Sequence, residues 1–119
     1  MSRILIIEDE TDQAELFRMA LEGAGMEVIG TTDDLRETET APAGEPDLVI
    51  LDERLGGRSG VALIPRLRIA YPKTQMLILT ADPDVAETAV ERGADEGKMK
   101  PLPLVQLISS VRALLARRA

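Results

Sequence analysis

The 119-residue chain carries 21 acidic against 14 basic side chains, a net charge of −7, and contains neither cysteine nor histidine. This excludes a disulfide framework, thiol or imidazole catalysis and cysteine- or histidine-bound metal, and it argues against nucleic acid as a direct partner, because phosphate backbones call for a basic face. The length suits one domain with a real core, which Leu, Ile, Val, Ala and Met must build, since Phe17 and Tyr71 are the only aromatic residues.

No apolar run approaches the roughly 20 residues that span a bilayer. The N-terminus enters a strand-like run without the apolar stretch of a signal peptide. The expectation is a soluble, cytoplasmic domain with no membrane partner.

Taken in order, Ile4-Leu5-Ile6-Ile7 is a fully apolar strand closed by Glu8-Asp9-Glu10. Ala14, Phe17, Leu21 and Ala24 then recur at helical spacing, and Gly25 stops that helix. Val28-Ile29 is a short strand candidate. A polar, interrupted helix is expected over residues 33–40, where only Leu35 and the nearby Ala41 suit a core. Leu48-Val49-Ile50-Leu51 is a second fully apolar strand and ends abruptly in Asp52. Leu55 through Gly60 reads as a flexible loop. A helix bearing Leu63, Ile64 and Leu67 follows; it is expected to begin near Ala62, with Pro65 in its first turn or at a kink. Met76-Leu77-Ile78-Leu79 is the third long strand, closed by Thr80. Asp82-Pro83 supplies a cap and a first helical proline, Val85, Ala86, Ala89 and Val90 give a modest apolar face, and Gly93 ends the helix. Asp95 to Met99 makes a poor last strand. After Lys100-Pro101, Leu104, Leu107, Ile108, Val111, Leu114 and Leu115 form the best amphipathic helix in the chain.

Strand and helix thus alternate five times, which predicts an α/β domain: a doubly wound, five-stranded parallel sheet with helices on both faces. In such a sheet the residues that close successive strands meet along one edge, where open α/β folds place their ligand sites. Here these are Glu8, Asp9, Asp52, Thr80 and Lys100. Each has a plainer reading: Glu8 and Asp9 favour the first turn of a helix, Asp52 suits a turn, Thr80 suits a strand, and Lys100 suits a solvated loop. Their joint placement favours chemistry. Three carboxylates crowded together repel one another unless a cation intervenes. Mg²⁺ and the Lys100 ammonium would balance them, leaving Asp52 suited to covalent attack on phosphorus.

Ile6-Ile7-Glu8-Asp9-Glu10, Leu48 to Asp52, Leu55 to Gly60, Ile78 to Ala81, Gly93-Ala94-Asp95 and Lys100-Pro101, in this order and spacing, resemble the receiver domains of two-component response regulators. The resemblance covers essentially the full length. It implies a flavodoxin-like sheet of order 2-1-3-4-5 and a cis Lys100-Pro101 bond. Asp52 would be the phosphoacceptor, supplied by a partner histidine kinase or histidine phosphotransfer protein. Glu8, Asp9, Asp52 and the Arg54 backbone carbonyl would hold Mg²⁺, and Thr80 and Lys100 would meet the phosphoryl group.

Three positions depart from the family pattern. Gly97 stands where the last strand usually carries an aromatic ring, Gly56 replaces the usual proline after Leu55, and the second helix is polar. An Arg54–Asp82 pair across the site mouth is an open alternative to two solvated side chains. The expectation is a stand-alone receiver over residues 1–119 with no effector domain. It would catalyse only its own phosphotransfer and dephosphorylation, and signal to an unknown output protein or through a phosphorelay. A degenerate receiver acting only as an interaction module is the alternative. A Mg²⁺-dependent phosphatase is disfavoured, because Arg54 occupies the place of the second aspartate such enzymes carry.

Overall fold

Three apolar runs, in residues 4–7, 48–51 and 76–79, lie next to one another inside a parallel sheet, which is why neither face of any of them is polar. The structure is a computed structural model and describes residues 1–32 and 44–117. Its elements are β1 (Arg3–Ile7), α1 (Thr11–Gly23), β2 (Glu27–Thr32), β3 (Leu48–Asp52), β4 (Arg54–Leu55), β5 (Arg58–Ser59), α2 (Gly60–Ala70), β6 (Gln75–Thr80), α3 (Pro83–Glu91), β7 (Glu96–Met99) and α4 (Leu104–Arg117). The main sheet runs β2-β1-β3-β6-β7 and every pairing in it is parallel. Counted by its own strands, this is the expected flavodoxin-like order 2-1-3-4-5. The helix expected over residues 33–40 lies outside the described residues.

Alternate side chains of each strand feed two cores. Leu5, Ile7, Val49, Leu51 and Ile78 meet Leu63, Ile64 and Leu67 of α2 and Ala89 of α3. Ile4, Ile6, Leu48, Ile50 and Leu77 meet Phe17 and Leu21 of α1 and Leu107, Val111 and Leu114 of α4. Both aromatic residues are buried. Gly25, at φ +90°, ends α1 and lets the Met26 N–H turn back to the Leu21 carbonyl.

Two local expectations are corrected. α2 begins at Gly60, not Ala62, so Pro65 falls in its interior, on the exposed side. The cause is a close approach: the Gly60 N–H donates to the Glu53 carbonyl at 2.6 Å, and a Cβ at Gly60 would stand 2.1 Å from the Asp52 carbonyl oxygen. Only glycine fits there. The apolar face of α3 is thinner than its sequence suggests. Ala89 is its one buried residue, and Val90 is 47% exposed. α3 lies directly on the backbone of β7, where a Cβ at Gly97 would come within 2.6 Å of the Ala86 carbonyl oxygen. The last strand lies within the expected Asp95 to Met99, as β7 from Glu96, and the Asp95 carboxylate just before it accepts the Met76 N–H at 2.7 Å.

Candidate functional site

Parallel register decides which strand ends become neighbours. Ile7 pairs with Leu51, Asp52 with Leu79, and Thr80 with Met99. The residues at or just beyond those pairs, Glu8, Asp52, Thr80 and Lys100, are thereby carried to one edge. Backbone bonds tie the edge together: Glu53 N–H to Leu79 carbonyl at 3.0 Å and Lys100 N–H to Thr80 carbonyl at 2.8 Å. The Lys100-Pro101 bond is cis.

Glu8, Asp9 and Asp52 each offer a carboxylate oxygen, and the three oxygens lie within 4.8 Å of one another. Lys100 Nζ stands 2.6 Å from Asp52 Oδ1 and 3.5 Å from Glu8 Oε1. Glu8 and Asp52 are buried and Asp9 is exposed. A cavity of about 440 Å³ opens over the group, lined by Asp9, Glu10, Asp52, Arg54, Thr80 and Lys100 among others.

The electrostatics are under strain. Burial, then the hydrogen bond and charge of Asp52, push the Glu8 carboxyl up to about 8, against the pull of Lys100. Burial alone would lower the Lys100 ammonium, but hydrogen bonds and charge from Asp52, and then from Glu8, outweigh it and raise the group. One lysine does not neutralise three ionised carboxylates, and without a cation Glu8 responds by holding its proton. In addition, Glu8 Oε2 is buried and meets no donor among the described residues, an expensive condition for a carboxylate oxygen. A hard divalent cation takes such oxygens as ligands, so these residues fit Mg²⁺ on both charge and unmet bonding.

Thr80 Oγ1 accepts the Asp82 N–H at 3.1 Å, which leaves its own hydrogen to donate elsewhere. The Arg54 side chain is 91% exposed and its nearest acid is Glu53, at 3.6 Å. Asp82 instead accepts the Asp84 N–H at 2.9 Å as the cap of α3. The described residues therefore contain no Arg54–Asp82 pair.

Residues 55–60, expected as a loop, contain a tight hairpin instead. Arg54 pairs with Ser59 and Leu55 with Arg58 across Gly56-Gly57, whose φ angles of +54° and +86° suit a mirror-image two-residue turn. Its tip reaches the site, since Gly56 N–H donates to Asp9 Oδ2 at 2.8 Å. A Gly-Gly pair is a two-residue hairpin signal; the contact with Asp9 has none.

The family model described as response regulator receiver domain matches residues 4–112. Among curated proteins, the transcriptional activator protein IrlR of Burkholderia pseudomallei is 38% identical over 117 residues, covering 97% of this chain and 51% of IrlR. The transcriptional regulatory protein PrrA of Mycobacterium tuberculosis is 30% identical over 118 residues, covering 98% of this chain and 51% of PrrA. The chain thus spans about half the length of the curated relatives it matches. In fold it is similar to a CheY-like response regulator receiver domain protein from Methanospirillum hungatei, with a TM-score of 0.87, 24% identity, and coverage of 99% and 96% of the two chains. A family match over nearly its whole length, on the sheet order and acidic edge just described, places this chain in the response regulator receiver domain family.

Proposed function

We propose that this receiver domain, a signalling module by family, works as a phosphorylation switch. Asp52 would take the phosphoryl group from a histidine on a partner kinase or phosphotransfer protein. The observation that carries this reading is the position of Lys100 Nζ, 2.6 Å from Oδ1 of the Asp52 carboxylate, which also offers an oxygen within 4.8 Å of the Glu8 and Asp9 ligand atoms. In the reaction an Asp52 carboxylate oxygen bonds to phosphorus as the P–N bond to the donor breaks, and the electron pair returns to the donor imidazole. Lys100 moves from Asp52 to a phosphoryl oxygen, and the Thr80 hydroxyl donates to another. Glu8, Asp9, Asp52 and the Arg54 carbonyl would hold Mg²⁺; when bound, the ion supplies charge neutralisation on the phosphoryl oxygens.

A groove of about 460 Å³ supports a protein as the donor. It is lined by Leu16 and Phe17 of α1 and by Lys100 to Leu104, and it shares Glu10, Ala81 and Lys100 with the site cavity. A partner helix laid on this apolar floor would bring its side chains to Asp52. The net charge of −7 supports a protein, not nucleic acid, as direct partner of this domain, although IrlR and PrrA are named as transcriptional proteins. No helix among the described residues is long and apolar enough to cross a membrane.

The test is incubation with Mg²⁺ and a small phosphoryl donor such as acetyl phosphate. A base-labile acyl phosphate should form on the native chain and not on Asp52→Asn. Equal labelling of both would remove Asp52 from the reaction. No labelling of either, with Mg²⁺ binding also absent, would favour a degenerate receiver.

A further inference from the structure

Asp9 is the exposed member of the acidic group, and an exposed carboxylate on a short side chain samples several rotamers unless something holds it. What holds it comes from 47 residues away: the 2.8 Å bond from Gly56 N–H to Asp9 Oδ2. That donor is fixed on both sides. Before it, Leu55 is 2% exposed and packed into the core with Ile7 and Leu51. After it, the β4–β5 pairing and the 2.6 Å bond from Gly60 N–H to the Glu53 carbonyl close the base of the hairpin. The turn places Gly56 at φ +54°, which proline, the usual residue here in the family, cannot adopt, and proline has no N–H to give.

We propose that the Gly56 amide is a positioning donor for the cation site. It orients one oxygen of Asp9 and leaves the other to the ion. Because Arg54 lies on the same hairpin, the bond also sets the Arg54 carbonyl relative to the Asp9 carboxylate. Hairpin geometry and cation occupancy are then linked: whatever displaces the hairpin loosens Asp9, and an ion on Asp9 steadies the hairpin. A hydrogen bond to a charged acceptor is among the stronger kinds. Loss of an outer partner of a metal ligand typically weakens metal binding about 10- to 100-fold. The inference rests on reading the acidic group as a cation site, and the experiment separates the two.

Mg²⁺ titrations followed by amide NMR are made on the native chain, on a chain with an amide-to-ester replacement at residue 56, and on Gly56→Pro and Gly56→Asn. The ester deletes the N–H and keeps the glycine backbone. Gly56→Pro deletes it and also forbids the turn, whereas Gly56→Asn keeps the N–H and tolerates left-handed backbone. The Gly56 amide proton should be protected from exchange without the ion and should shift on titration. The ester and Gly56→Pro should bind Mg²⁺ about 10-fold more weakly, with Gly56→Asn within about twofold of native. An ester chain that binds as tightly as the native one would overturn the proposal and leave the cation site standing. So would Gly56→Asn binding as weakly as Gly56→Pro, because affinity would then be lost with the N–H still present. A native chain that binds no Mg²⁺ would overturn both.

Discussion

The two edges of the sheet treat charge in opposite ways. Among the described residues at the amino edge, all buried side-chain polar atoms but one have a partner. The Arg68 guanidinium donates to the Thr74 carbonyl at 2.7 Å, the Gly93 carbonyl at 2.8 Å and Asp95 Oδ2 at 3.2 Å. Asp47 takes the Arg3 N–H at 2.7 Å, Glu45 takes the Lys73 N–H at 2.6 Å, and the Thr74 hydroxyl donates to the Pro46 carbonyl at 2.6 Å. Gln75 Oε1 is the buried exception. At the carboxyl edge Glu8 and Asp52 share one lysine with Asp9 close by, and Glu8 Oε2 has no donor among the described residues. The same polar chemistry serves stability where it is satisfied; where it is left short, it creates demand for a ligand.

Paired substitutions give the largest test of this contrast. Lys100→Ala should slow phosphorylation of the chain about 100-fold, as loss of a charge-stabilising donor typically does. Its stability in saturating Mg²⁺ should change little, because the ion remains as counter-charge to the buried Glu8 and Asp52. Arg68→Ala should do the reverse. It strips donors from the Pro72, Thr74 and Gly93 carbonyls and from Asp95, at a cost of about 2–3 kcal/mol in urea unfolding, with Mg²⁺ affinity unchanged. If Arg68→Ala weakened Mg²⁺ binding as much as it weakened folding, the division of labour between the edges would be wrong.

A smaller effect is expected where neither edge is involved. Gly97→Ala forces a methyl against the Ala86 carbonyl and should cost about 1–3 kcal/mol by pushing α3 off β7. NMR shifts in the mutant should concentrate on α3 and β7. Shifts centred on Asp9 and Asp52 instead would mean that this contact is coupled to the site.

The last test is in pH. Folded Glu8 keeps its proton up to about 8, and the unfolded chain only up to the ordinary 4.5. Folding therefore takes up a proton between those values. The contribution of Glu8 to metal-free stability is fully present below about 4.5 and declines as pH rises towards 8. Mg²⁺ must displace that proton, so its affinity should rise with pH and level off above about 8. Urea midpoints at about pH 5 and about pH 9, compared with Glu8→Gln, isolate this contribution. An equal pH slope in the mutant would assign it to other groups.

Much of this molecule is legible without coordinates. Runs such as Leu48–Leu51 are apolar at every position because both faces of the strand are covered, and helical spacing marks Ala14, Phe17 and Leu21 as an inward face. Parallel order then brings Glu8, Asp52, Thr80 and Lys100 to one edge. Less legible are the contacts in which backbone does the work. Gly60 against the Asp52 carbonyl moves the start of α2, and Gly97 against Ala86 explains a missing ring as a close approach. A glycine looks the same in a sequence whether it serves a turn, a hairpin or a packing contact.

The sequence by itself determined the sheet, its two cores and the residues at the reactive edge, because periodicity and strand-end position are local properties that burial reads out directly. Only the tertiary structure decided how that edge is wired. Lys100 sits on Asp52, Thr80 holds the entry to α3, and Gly56 N–H holds Asp9. Partners brought together from distant parts of the chain depend on how the strands pair and the hairpin folds, and no residue type records that in advance.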